Sequence, residues 1–212
     1  ATALNASAHE RLLGLSDGNL GVSSWFNDAT EQEHAAYKAL PTTDRIVTWA
    51  FGATRGDVAA CLVGKQINYD GTRGTDGSLE FTVDTQSNGV SLDWCDTLTT
   101  GKETHGSAGN STSRDDGAAT SAGMVAYLEI ADLDSGTATV TIQQSSDNGS
   151  GDAFATVLSF TAVAAAAAPA AERITVSGAV ERYLRITTTG TFTNLDFCVS
   201  TRRGTAQDDV AF

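Results

Sequence analysis

In the segment SLEFTVDTQ at 78–86, apolar and polar side chains take strict turns. Leu79, Phe81 and Val83 fall on one face, and Glu80, Thr82, Asp84 and Gln86 on the other. Successive side chains of an extended chain point to opposite sides, so this run is a strand with one buried and one wet face. Similar short runs, bounded by glycine-rich text, recur at 45–51, 60–69, 124–132, 137–145, 153–161, 172–178, 182–189 and 193–201. With 29 threonines and only 2 prolines the composition suits strands. Regularly spaced short strands predict a mostly β fold, a sandwich or barrel. At Asp147-Asn148-Gly149 the Asn-Gly pair favours positive φ and predicts a hairpin between TIQQS and AFATVL.

One flanking helix is predicted over 29–40. Asp28 and Glu31 have capping-box spacing, ATEQEHAAYKAL uses good helix formers, and Pro41 stops the run. The Ala164–Ala168 run is too short to hold a helix alone and predicts an ordered connector or a single helical turn before Pro169. Residues 101–121, GKETHGSAGNSTSRDDGAATS, are polar and rich in glycine, which marks a long exposed loop or a subdomain junction. The loop at 101–120 divides the assembly unit 1–212 into an N-terminal β region, 1–100, and a C-terminal β region, 121–203. Whether these are one fold or two stays open at this level.

Charge narrows the function classes. The 13 Lys and Arg against 26 Asp and Glu leave a net charge of −13, which repels polyphosphate and argues against tight nucleic-acid binding. No apolar run approaches the ~20 residues needed to cross a bilayer, so no membrane partner is expected. The N-terminal text ATALNASAHERLLGLSDG has no basic start followed by an apolar core, which makes cytoplasmic synthesis the simpler expectation. Cys61, Cys95 and Cys198 match no zinc spacing and read as reduced and buried.

Catalytic and cofactor signals are thin. His9, His34 and His105 read as surface residues, and there is no G-x-S-x-G, Walker A or G-x-G-x-x-G pattern. Neither enzymatic activity nor a cofactor is expected. Asp132, Asp134 and Ser135-Gly136 open like a calcium loop that no glutamate closes. Turn formation is the simpler reading of the aspartates at 70–76 and 147–152 and of Arg55-Gly56-Asp57.

Several stretches together carry a resemblance: Trp25-Phe26-Asn27-Asp28-Ala29, LPTTDRIVTWAFG at 40–52, VGKQINYDGTRGTDGSLEF at 63–81, DTQSNG at 84–89, QQSSDNGSGDAF at 143–154 and RYLRITTTGTF at 182–192. They resemble the major tail proteins of long-tailed double-stranded DNA phages and related viruses. The likeness covers about 20–203, and 63–81 is its most specific part. Where that family favours glycine after the Leu-acidic-Trp run at 92–94, this chain has Cys95.

The resemblance implies a tail tube subunit, a β-sandwich or partial barrel with a flanking helix. Six copies close a ring and rings stack into a hollow tube of the virion tail, assembled in the host cytoplasm. The implied partners are the chain itself, tape-measure and tail terminator or baseplate proteins, and double-stranded DNA as transient cargo that is not tightly bound. Glu80, Thr82, Asp84 and Gln86 are then the lumen-facing candidates, because carboxylates repel phosphate over about a Debye length, ~8–10 Å, and make a non-stick wall. Trp25, Phe26, Arg73, Lys102 and Arg114 are the candidates for contacts between subunits. The 1–24 arm and the 101–121 loop are long enough to reach a neighbouring ring.

Two alternatives accompany this reading. One is a jelly-roll carbohydrate-binding or virion decoration module with Trp25, Trp49 and Trp94 as sugar platforms, although Trp49 sits within RIVTWAF and all three read more simply as core or interface anchors. The other concerns the acidic excess, which suits a high-salt habitat as well as a lumen.

Overall fold

The structure is a computed structural model that describes residues 17–29, 34, 37–38 and 43–204. It is mostly β, as the alternation predicts. Its two compact units differ from the halves expected at 1–100 and 121–203. One comprises the described part of 1–44 with Val63–Leu92, the other Arg45–Leu62 with the described part of 93–212. Most of the helix expected over 29–40, and residues 1–16 of the stacking arm, lie outside the described residues. Within that span His34 and Tyr37 are helical, and Lys38 donates its N–H to His34 O at 3.1 Å.

The first unit is a small antiparallel sheet centred on the alternating strand. Strand β1 (Asn19–Trp25) pairs with the full length of β5 (Leu79–Ser87). On the other edge of β5 lie β4 (Asp70–Arg73) and the last residues of β3 (Val58–Gln66). Phe81, Val83 and Thr85 are buried, while Glu80 is exposed and Thr82, Asp84 and Gln86 are half-buried. Tyr37 and Tyr69 close over Phe81, with ring centroids 5.9 and 5.4 Å away, which adds aromatic packing to the area removed from water.

The second unit is organised by two very long strands. β10 (Met124–Ser145) and β14 (Tyr183–Arg203) pair antiparallel from end to end, each joining two of the expected strands into one. A straight 22-residue strand would extend about 70 Å. Yet β13 (Ala170–Val176) ends opposite Met124, and β14 begins opposite Ser145. The connection from Val176 to Tyr183 reaches at most ~25 Å. Both long strands must therefore fold over, and each takes part in two facing sheets.

The corner lies at ADLDSG, where the sequence breaks its pattern. A bulge falls between Ile130 and Asp132, Gly136 has φ +83° and Asn194 has φ +45°. Bulges and left-handed residues bend a paired strand and shift which side chains face inward. Inward positions accordingly run Met124, Ala126, Leu128 and Ile130, then Leu133, then Ala138, Val140 and Ile142, all in one core with Leu184, Ile186, Phe192, Leu195, Phe197 and Val199.

Shorter strands fill the edges. On one side of β10 lie β11 (Ala155–Ser159), β12 (Val163–Ala164) and β13. The Asn148-Gly149 hairpin forms between β10 and β11, with φ +62° and +80°. A single 3-10 turn at Ala165–Ala167 occupies the alanine run. On β14 lie β6 (Asp93–Thr97), β7 (Glu103–His105), β8 (Gly109–Asn110) and β9 (Arg114–Asp115). The expected loop at 101–121 is thus a strap laid along β14. Cys95 is buried within strand β6, which puts strand rather than turn after Trp94. β2 (Arg45–Ala50) pairs with β3, whose first residues pair with β6.

Candidate functional site

The β1–β5–β4 register sets one polar face of the first unit. Asn19, Gly21, Ser23 and Trp25 on β1 stand opposite Gln86, Asp84, Thr82 and Glu80, and Asp70 and Thr72 on β4 stand opposite Thr82 and Glu80. Directly paired residues share a face, so all four lumen candidates lie together with these neighbours. The face is cross-linked. Ser23 and Thr82 hydroxyls lie 3.1 Å apart, Asn68 donates to the Asp84 carboxylate at 2.6 Å and accepts the Asp84 N–H at 2.6 Å, and Gln86 donates to Asp17 at 2.6 Å. Hydrogen bonds from Ser87 and Gln86 hold the Asp17 carboxyl below the usual carboxylate range. Lys65, in register with Gln86, is ion-paired with Asp44 at 2.9 Å. The face therefore combines Asp17, Asp70, Glu80 and Asp84 with amides and hydroxyls already engaged with one another.

The subunit-contact candidates do not gather at one place. Trp25 is exposed at the end of β1, Phe26 is half-buried against His34 with ring centroids 4.9 Å apart, and Arg73 is exposed opposite Leu79. Lys102, in the second unit, is ion-paired with Asp196. Arg114 is buried, which corrects its expected place on an exposed loop. Its guanidinium donates to Asp116 at 2.5 and 3.1 Å, to the Asp96 and Thr97 carbonyls at 2.9 and 3.1 Å, and to Thr201 Oγ1 at 2.8 Å. A guanidinium so occupied pins the strap to β6 and β14.

His105 likewise belongs to the packing. Its Nδ1 lies 2.8 Å from Thr188 Oγ1, its Nε2 lies 3.1 Å from Ser111 Oγ and 3.2 Å from Glu103, and its ring meets Phe197 edge-on at 5.1 Å. Ser111 donates its proton to Glu103, so the group has the residue types of a nucleophilic triad without its relay order. Burial raises the Glu103 pKa, but hydrogen bonds from Ser111, His105 and the Thr100 amide, together with the Arg55 charge, hold the carboxyl below its usual range.

A buried charge cluster lies on the other side of the β6–β14–β10–β13 sheet. Asp93 accepts from Tyr127 at 2.5 Å, and lies 3.1 Å from Arg202 and 3.8 Å from Arg173. Arg173 also donates to the Tyr127 oxygen at 3.0 Å. Nearby, Glu129 has a buried Oε1 with no hydrogen-bond partner, and burial pushes its pKa up against the opposing Thr48 hydroxyl and amide. A carboxyl whose pKa is higher folded than unfolded withdraws stability as pH rises above the unfolded value. Glu129→Gln should therefore stabilise the protein at pH 8 by about 1–3 kcal/mol and change little at pH 4, as measured by urea melts at both.

Turn chemistry accounts for the other singled-out residues. Asp147 accepts the N–H groups of Ser150, Gly151 and Asp152 at 3.0, 2.5 and 3.1 Å, Asp76 accepts that of Ser78 at 3.0 Å, and Gly56 of the Arg-Gly-Asp triplet has φ +93°. None of the three cysteines is in a disulfide; Cys61 and Cys95 are buried and Cys198 is half-buried. A hydrogen bond with Cys61, and then burial, push the Cys95 thiol up, and burial pushes up Cys198. Among the described residues no group of three or more His, Cys, Asp or Glu is placed to hold a metal ion, and no helix is long and apolar enough to cross a membrane.

Trp49 and Trp94, which read from the sequence as core or interface anchors, are both exposed, as is Phe51, so neither tryptophan is a core anchor within the chain. Their exposure follows from register. In β6 the inward positions are Asp93, Cys95 and Thr97, leaving Trp94 and Asp96 outward. No protein-family model matches the chain, and no curated protein matches it.

Proposed function

We propose that this chain is a self-assembling structural subunit of a viral tail tube, whose β1–β5–β4 face lines a channel for double-stranded DNA. The observation that carries the reading is the two-sided strand β5, with Phe81, Val83 and Thr85 in the core and Glu80, Thr82, Asp84 and Gln86 on one cross-linked outer face. The sequence resemblance supplies the assembly. The physical role is repulsion: a wall of carboxylates facing phosphates within about a Debye length, ~8–10 Å, lets a polyanion slide without holding it. Internal hydrogen bonding of the remaining polar groups leaves few donors to grip phosphate.

Electron microscopy of the concentrated protein should show rings or tubes, and only monomers would overturn the reading. Glu80→Lys with Thr82→Lys spares the Asn68–Asp84 pair, puts two cations on the face and removes one of its four carboxylates, so that its charge rises by 3, from −4 to −1. Tubes bearing both changes should assemble normally and deliver DNA at least about tenfold more slowly, since cations recruit phosphate. Unchanged delivery would refute the non-stick role.

The exposure of Trp25, Trp49 and Trp94 favours a second reading, a carbohydrate-binding or decoration module. Glycan-array binding by a protein that stays monomeric at high concentration would select it.

A further inference from the structure

The large apolar side chains that are exposed among the described residues fall into two sets. In the second unit they are Trp49, Phe51, Val58 and Trp94, exposed by 51%, 62%, 48% and 60%. Phe51 and Trp94 have ring centroids 6.0 Å apart, Phe51 donates its N–H to Val58 O at 2.9 Å, and Trp94 is in register with buried Ala60. In the first unit they are Trp25 at 64%, Leu79 at 42% and Ile67. Phe26, next to Trp25, donates its N–H to Leu79 O at 2.8 Å, which places Trp25 and Leu79 at the same end of the β1–β5 pair.

We propose that the aromatic face of Trp49, Phe51 and Trp94 docks on a second copy of this chain, against the Trp25–Leu79 end of that copy's first unit. The proposal rests on the reading of the chain as a self-assembling subunit. A closed ring needs two different surfaces on every subunit, one for each neighbour, and the two sets provide one each. Three aromatic side chains of about 150–250 Å² apiece, half or more exposed, offer roughly 300–400 Å². That is close to half of the ~800 Å² each partner contributes to a standard interface, the proportion expected of an apolar centre within a polar rim.

Charge favours the same occupant. Two chains of net charge −13 repel wherever carboxylates meet, and the uncharged aromatic face lets them approach at least cost. The rims are complementary. Asp96, exposed and in register with Val58, borders the aromatic face, and Arg73, exposed and in register with Leu79, borders the other.

The test is sedimentation velocity over a concentration series, with circular dichroism and urea melts as fold controls. Phe51→Ala with Trp94→Ala should raise the concentration for assembly at least tenfold with an unchanged fold. Arg73→Asp alone should do the same, and adding Asp96→Arg to it should restore assembly, as a swapped ion pair would. If the wild type forms tubes and the Phe51/Trp94 variant forms them equally well, the docking proposal falls while the tube reading stands. Association through this face that stops short of rings would sink the tube reading alone. A wild type monomeric at every concentration overturns both, and so does loss of glycan binding as the only effect of the aromatic substitutions.

Discussion

Asp93→Ala should cost about 3–5 kcal/mol of folding free energy, the usual penalty for removing one partner of a buried ion cluster. Three groups converge on this carboxylate, the Tyr127 hydroxyl at 2.5 Å and the guanidinium groups of Arg202 and Arg173 at 3.1 and 3.8 Å. Asp93 is almost wholly buried and Arg173 nearly so. Removing the negative charge leaves two cations close together in a region where water compensates them poorly. With an m-value near 2–3 kcal/mol/M for a protein of this size, the urea midpoint should drop by about 1–2 M. Tyr127→Phe tests the same cluster more gently: it deletes the two hydrogen bonds of the Tyr127 hydroxyl, to Asp93 and from Arg173, leaves all three charges in place, and should cost about 1–3 kcal/mol. Equal losses for the two variants would show that the Asp93 charge contributes nothing beyond the hydrogen bonds of the Tyr127 hydroxyl.

The second large effect is expected at the corner. At Gly136, with φ +83°, an added Cβ would lie 2.0 Å from the Thr191 carbonyl oxygen and 2.9 Å from Phe192 Cα. Left-handed backbone costs a non-glycine residue about 1–2 kcal/mol. Displacing backbone in a packed corner adds about 1–3 kcal/mol more, so Gly136→Ala should destabilise by about 2–5 kcal/mol. Gly178 is the control, because its φ is +92° and nothing lies within 4 Å of the added atom. Gly178→Ala should show the conformational cost alone, about 1–2 kcal/mol. Thermal melts of the two variants measure the difference, and equal losses would mean that the corner yields easily.

These two sites show what was legible in the sequence. The β5 alternation was readable because one face is dry and the other wet, so residue type reports the pleat directly. The break at ADLDSG was readable too, but only as a gap between strands. That one strand continues through it follows from β14, some 60 residues further along the chain, making the same bend, and no local pattern encodes that pairing. β6 was hidden because its pattern is inverted, with Asp93 buried and Trp94 exposed. Only Arg173, Arg202 and Tyr127, distant in sequence, make the inversion tolerable. β1 carries a weak signal, since the inner side of NLGVSSW is Leu20, Val22 and Ser24, with just two apolar residues. The two- and three-residue strands of 103–115 exist by virtue of the β14 edge, and their own text carries turn chemistry.

For the candidate site, the shared face of Glu80, Thr82, Asp84 and Gln86 followed from alternation alone. The internal use of Arg114 did not, because a lone arginine in glycine-rich text gives no sign of a buried partner. The exposure of Trp49 in RIVTWAF ran against its neighbours for the same reason: hydrophobic context predicts burial, and only the register decides which side is covered.

The continuous pairing of β10 with β14 also has a mechanical meaning. Opposed loads along these strands are shared by a long ladder of backbone bonds in shear, so the bonds must fail together and cannot be peeled off singly. Because both strands pass through both sheets, neither sheet can slide off the other while the strands remain intact. The second unit is therefore built to resist tension along these strands as a single rivet.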